Sequence, residues 1–253
     1  MPQFPNTDAY MVNYPGGAYG SFITGIISML LGIITENTQI EFSKYGNAHA
    51  FSGAVFSNYS RNDVDVDFNQ QYDSIEPIDP CQPLILASHM FPIWDDLFYY
   101  YPKCKNIIIT IQQADLAKQS GNLFFKTVID SYYDEQNPNG KNAWEDLKNG
   151  RSEFFKRWNI NVPEDLTPVL TRLLLERYLF VNNSFYEKSL PTIDMPNIFY
   201  LPMSDIIHNR NKTLLTLAQI TNSKITPRIV ETYNNFLRIQ EELVRTKMPW
   251  VTF

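Results

Sequence analysis

Short, solidly apolar runs alternate along the chain with longer segments whose apolar residues recur at helical spacing. Residues 9–14 (Ala-Tyr-Met-Val-Asn-Tyr) read as a short buried strand. Pro15-Gly16-Gly17-Ala18-Tyr19-Gly20-Ser21 breaks that strand, and the apolar stretch 22–34 follows as a helix with Ser21 in its first turn. A strand, a glycine-rich turn and a buried helix make the first half of a βαβ unit. The pattern over 36–80 is irregular: 54–56 reads as a strand or a helical turn, and polar 61–71 as a loop or edge segment. Pro77, Pro80 and Pro83 hold the chain extended on the way to Leu84-Ile85-Leu86-Ala87, a run that fits a fully buried parallel strand. A helix is expected over 93–101. Residues 106–111 (Asn-Ile-Ile-Ile-Thr-Ile) are the plainest strand in the chain, and a helix over about 115–133 follows. Helical spacing continues over 142–158 and 167–180, and a last strand lies within 197–202. Two helices follow, near 211–221 and 226–246, the second with Pro227 in its first turn and Thr226 as cap. Strands alternating with helices, three of them apolar on both faces, imply an α/β domain with a central, mostly parallel sheet covered on both sides.

Composition narrows the classes. A chain of 253 residues suits one domain, read here as 1–253, and is long enough to bury a core without staples. The net charge of −6 argues against a basic stripe for nucleic acid, though not against a local anion pocket. Two cysteines, Cys81 and Cys104, are too few for a disulfide scaffold, and three scattered histidines give no metal-ligand spacing. The longest apolar run is 13 residues, short of the roughly 20 that a membrane span needs. With no targeting segment in view, the expectation is a cytoplasmic protein without a membrane span.

Three places carry candidate chemistry. In the first turn, Gly16, Gly17 and Gly20 allow backbone N–H groups to approach an anion at the start of a helix, and the Ser21 hydroxyl can donate to a phosphate oxygen. The same glycines also suit a purely steric turn. The spacing is neither that of a Walker loop, which needs Lys before Ser/Thr, nor Gly-x-Gly-x-x-Gly, so an ordinary NTPase or dinucleotide enzyme is disfavoured. At the expected carboxyl end of the 84–87 strand, His89 is either a general base or a histidine bonded within a turn. Beyond the 106–111 strand, Gln112, Gln113, Asp115 and Ser120 stand where such sheets bind ligands, and Asp115 is equally a helix cap. His49, in a polar turn, faces an acceptor or solvent. His208 is expected to be exposed.

These segments together resemble the sulfotransferase family. Tyr14-Pro15-Gly16-Gly17-Ala18-Tyr19-Gly20-Ser21-Phe22 is similar to that family's phosphosulfate loop, which begins Tyr-Pro and ends on an aromatic that opens a helix. Ala87-Ser88-His89-Met90-Phe91-Pro92 is similar to its Lys-Thr-His-Leu-Pro segment. Residues 101–115, with Ser120 beyond, resemble its strand into the 3′-phosphate motif. The resemblance implies a three-layer, P-loop-like fold and 3′-phosphoadenosine 5′-phosphosulfate as co-substrate, with the sulfuryl group passing to an acceptor hydroxyl or amine. It implies that Gly16, Gly17, Ala18, Tyr19, Gly20, Ser21 and Phe22 hold the donor, that Gln112 and Ser120 lie near its 3′-phosphate, that His89 is the base, and that His49 faces the acceptor. The chain departs from the family in four ways, the first being that Ser120 falls one residue later than the family's serine. The turn has no Lys or Arg, Gln112 replaces the arginine of the 3′-phosphate motif, and the late Arg-Lys-Gly loop is missing. Replacement cations from other elements would be Lys118, Lys126, Arg210, Lys212, Lys224 or Arg228, each otherwise read as a solvated surface charge. These departures keep open a non-catalytic member of the fold that serves as a binding or structural module. A phosphoryl-transferring kinase is disfavoured by the missing Walker lysine.

Overall fold

The computed structural model describes residues 4–35, 42, 59–61, 75–77, 79–88, 94–124 and 195–247. Its centre is a four-stranded, all-parallel sheet in the order β4-β1-β5-β6, formed by β1 (Ala9–Asn13), β4 (Leu84–Ser88), β5 (Lys105–Thr110) and β6 (Ile198–Pro202). A separate antiparallel pair joins β2 (Tyr59–Arg61) to β3 (Ile75–Pro77). Among the described residues the helices are α1 (Gly20–Leu30), α2 (Trp94–Tyr100), α3 (Leu116–Phe124), α4 (Met203–His208), α5 (Arg210–Thr221) and α6 (Pro227–Lys247).

The apolar runs become strands because both faces of the sheet are covered. On one face Tyr10, Val12, Ile85, Ala87, Ile107 and Ile109 pack against α1, α5 and α6. On the other, Ala9, Met11, Leu84 and Leu86 pack against Leu97 of α2, with Tyr101 and Cys104 beyond it. A helix-sheet-helix arrangement leaves no polar face on the inner strands, hence the lack of alternation. Burial pushes the Cys104 thiol far up, which keeps it unreactive. One buried polar contact crosses the sheet. Asn13 Nδ2 donates to Asn106 Oδ1 at 2.7 Å, and a slip of β1 against β5 would break it.

Helix boundaries follow local chemistry more than apolar pattern. The 22–34 stretch is helical only to Leu30. Gly32 adopts φ +73°, and the N–H groups of Gly32 and Ile33 return to the carbonyls of Met29 and Ser28 at 3.1 and 2.9 Å. That is a Schellman ending, and it stops the helix although apolar residues continue to Ile34. The helix expected from 115 begins at Leu116 after a 3₁₀ turn at Gln113–Asp115, and its part beyond 124 lies outside the described residues. The segments 54–56, 142–158 and 167–180 also lie outside them. The α4 helix was not anticipated. At the start of α6, Thr226 Oγ1 accepts the N–H of Ile229 at 3.4 Å, the expected cap. Among the described residues no helix is long and apolar enough to cross a membrane.

Strand order fixes where a ligand can sit. From β1 the chain moves to β4 on one side, while β5 lies on the other. The α1 helix covers one face and α2 the opposite one. The order therefore reverses between β1 and β5, and in open parallel sheets the crevice beyond the carboxyl ends at such a reversal is the ligand site.

Candidate anion-binding turn

Two strand-to-helix turns meet at that crevice. The first follows β1. Its entry is held by the Tyr14 N–H, which donates to the Ser88 carbonyl of β4 at 2.9 Å. The Ala18 N–H then closes a turn onto the Pro15 carbonyl at 3.2 Å, with Gly17 at φ +81°. A positive φ is what a type II turn requires at this third position, and glycine adopts it without strain. Tyr19, immediately before α1, is also left-handed (φ 63°, ψ 18°), which is uncommon for an aromatic residue.

The second turn supports the first. Gln119 Nε2 donates to the Gly16 carbonyl at 3.0 Å, and Asn122 Nδ2 donates to the Gly17 carbonyl at 2.9 Å. Both side chains come from α3, one turn apart on the same face. With the carbonyls held by α3, the N–H groups of Gly16, Gly17, Tyr19 and Gly20 take no protein acceptor among the described residues. Four such donors at the opening of an 11-residue helix form a local concentration of positive backbone dipole in a chain whose turn has no charged side chain.

Gly20 has a second task beside its backbone donor. A Cβ placed on it would lie 1.9 Å from the Tyr14 ring, so the absent side chain is space occupied by that ring. The Tyr14 hydroxyl meets Ser21 Oγ at 3.2 Å, and burial pushes the phenol pKa up. Ala18 and Phe22 are fully buried. Phe22 stacks on Phe236 of α6 at 3.7 Å and meets Tyr233 edge-on at 4.8 Å, which makes it a core aromatic. The Tyr19 ring packs edge-on against Phe236 at 5.4 Å, and its burial, with Asp115 nearby, raises the phenol pKa strongly.

At the second turn, the Asp115 carboxylate accepts the Gln112 N–H at 2.9 Å, and the Asp115 N–H donates to the Gln112 carbonyl at 3.0 Å. Asp115 is thus a cap for its own turn. Ser120 is buried, and its hydroxyl donates to the Ala117 carbonyl of α3 at 3.0 Å. His89, His49 and Lys126 lie outside the described residues.

The cations divide sharply. Lys118 is not the solvated charge expected from sequence: it is 7% exposed, on the α3 face that carries Gln119 and Asn122, and burial pushes its pKa down to about 7. Lys212 is solvent-exposed and pairs with buried Asp205 at 2.7 Å. Arg210 bonds Asn211 and Asn234, and Arg228 bonds the Thr35 carbonyl. Lys224 is exposed, as is His208, in agreement with expectation. His208, Arg210 and Lys212 line an open cavity of about 490 Å³ where α4 meets α5.

Sequence reasoning missed Gln119 and Asn122. Their signal was the polar face Asp115, Lys118, Gln119, Asn122 on a helix that follows a buried strand. No protein-family model matches the chain, and no curated protein matches its sequence.

Proposed function

We propose that the chain is a sulfotransferase-like protein of P-loop-like topology. It binds 3′-phosphoadenosine 5′-phosphosulfate with the phosphosulfate on the 16–21 turn. The observation that carries this reading is the turn itself: four N–H groups without acceptors among the described residues, at the reversal point of a parallel sheet, with the Gly16 and Gly17 carbonyls held by Gln119 and Asn122. In the transfer, the acceptor oxygen or nitrogen attacks sulfur as the bond from sulfur to the bridging phosphate oxygen breaks. The acceptor's proton passes to His89, and the desulfated nucleotide leaves. Negative charge grows on the bridging oxygen, where preoriented N–H donors stabilise it.

A binding module that holds the nucleotide without transfer is the second reading. It is favoured by Ser120 and Gln112. The hydroxyl of the first and the N–H of the second are bonded within their own turn and helix, which removes two of the expected contacts to a 3′-phosphate.

Titration calorimetry with 3′-phosphoadenosine 5′-phosphate, the desulfated product, tests the nucleotide site. Gly17→Asn is the control, because Asn tolerates the left-handed backbone, and Gly17→Asp adds one negative charge at the same place. The wild type and Gly17→Asn are expected to bind at micromolar strength, and Gly17→Asp at least about tenfold more weakly from like-charge repulsion. Absence of binding at millimolar nucleotide would contradict both readings. Binding with no sulfuryl transfer to a panel of hydroxyl and amine acceptors would select the second.

A further inference from the structure

The cavity of about 490 Å³ where α4 meets α5 has no part in the chemistry above. Its lining includes His208, Arg210 and Lys212 and no carboxylate. Lys212 and Arg210 are not equivalent there. The Lys212 ammonium is matched by Asp205, which is buried and accepts it at 2.7 Å on Oδ2, while Asp205 Oδ1 accepts Asn209 Nδ2 at 2.6 Å. That pair is closed. Arg210, in contrast, meets only neutral oxygens. Its Nε and Nη2 donate to Asn211 Oδ1 at 3.1 and 2.9 Å, and its Nη1 donates to Asn234 Oδ1 of α6. A guanidinium carries five N–H donors, so with three spent two remain without an acceptor among the described residues. Bonds to two different helices hold the guanidinium plane, so the fork is oriented before any ligand arrives. The backbone adds donors at the same place. Asn209 is the N-cap residue of α5, yet its amide goes to Asp205 and makes no cap bond. The N–H groups of Arg210, Asn211 and Lys212 therefore take no acceptor among the described residues.

We propose that this cavity is a second, separate binding site, for a small phosphate monoester: the phosphate takes the remaining N–H groups of Arg210 and the first-turn N–H groups of α5, and the organic part lies against Leu237 of α6. An oriented guanidinium that no carboxylate compensates, in a lining without acidic groups, selects an anion. Donors supplied by both a side chain and a helix start suit the three terminal oxygens of a phosphate better than the two of a carboxylate. The volume exceeds what a lone phosphate fills and lies in the range of small-molecule pockets, and Leu237 gives it an apolar wall. No residue of the 16–21 turn takes part, so this site stands or falls apart from the nucleotide reading.

The test is a titration of the full chain with phenyl phosphate, followed by amide chemical shifts, with inorganic phosphate as the second probe. Phenyl phosphate is expected to move the N–H signals of Arg210, Asn211 and Lys212 together and to saturate at about millimolar concentration or below. Arg210→Gln keeps a hydrogen-bonding side chain but removes the charge, and should weaken both probes at least about tenfold at these signals. Arg210→Lys keeps the charge and loses the fork, so it should also bind more weakly than the wild type. Leu237→Ser should weaken phenyl phosphate while leaving inorganic phosphate unchanged, a split that a merely structural role for Leu237 would not produce. Thermal melts control for folding. If Arg210→Gln does not fold, Leu237→Ser and the wild-type shifts decide. Signals at 210–212 that stay in place with both probes overturn the proposal, as does wild-type affinity in Arg210→Gln. Shifts confined to 16–20 overturn it too and leave the first turn as the anion site. Attachment to phosphatidate vesicles without binding of phenyl phosphate would overturn the small soluble ligand in favour of a lipid headgroup.

Discussion

The two turns at the centre of the sheet are built on opposite plans. The turn after β5 is closed on itself: Asp115 takes the Gln112 N–H, the 3₁₀ bond takes the Gln112 carbonyl, and Ser120 returns its hydroxyl to its own helix. The turn after β1 opens α1 with no side-chain cap and with four N–H groups that take no acceptor among the described residues. Its carbonyls are the part that is secured, and α3 secures them. A helix start that lacks a cap in a well-packed protein leaves donors for water or a ligand. On the proposed reading, the contrast makes the second turn the scaffold and the first the receptor. That inverts the weight the sequence places on Gln112 and Ser120.

The largest expected effect comes from the packing beneath the first turn. Gly20→Ala drives a methyl into the Tyr14 ring, whose carbon lies 1.9 Å from the ideal Cβ. The cost should reach about 3 kcal/mol, read as a fall in Tm or as loss of soluble protein. A tolerated Gly20→Ala would mean that the ring does not occupy that space. Next come the ties from α3. Gln119→Ala and Asn122→Ala each leave one carbonyl without its amide, at about 1 kcal/mol apiece, and together they should speed amide exchange at 16–20 and weaken nucleotide binding. Unchanged exchange in the double variant would separate the two turns and undo the comparison. The smallest effect belongs to the closed turn. Asp115→Ala should cost about 1 kcal/mol in urea unfolding, the usual loss for a missing cap, while the helix itself persists by circular dichroism.

The sheet was legible because its strands are buried on both faces. Leu84-Ile85-Leu86-Ala87 and Ile107-Ile108-Ile109 can be little else in a domain of this size. Apolar content misled where a single backbone conformation decided the outcome, as at Gly32, which ends α1 four residues before the apolar run does. The α4 helix, six residues long and starting directly after Pro202, is too short for periodicity to register. The glycine turn was legible as a turn, and its place at the strand reversal followed from strand order. Its division of labour was not. Gly20 looked like a glycine needed only for its N–H and also leaves the space that the Tyr14 ring fills, while Phe22 looked like a ligand aromatic and stacks in the core on Phe236. Lys118 looked solvated because helical spacing cannot say which helix face docks on a turn a hundred residues earlier in the chain. That is a tertiary fact, and Gln119 and Asn122 reveal it only once their acceptors are known.

The central claim is that the backbone donors of the first turn receive an anion and those of the second do not. Amide chemical shifts during titration with inorganic sulfate, and then with 3′-phosphoadenosine 5′-phosphate, test it directly. The N–H signals of Gly16, Gly17, Tyr19 and Gly20 should move together and saturate with one affinity, while that of Gln112 stays in place. Shifts that spread without pattern, or that fall on Gln112 and spare the first turn, would contradict the account.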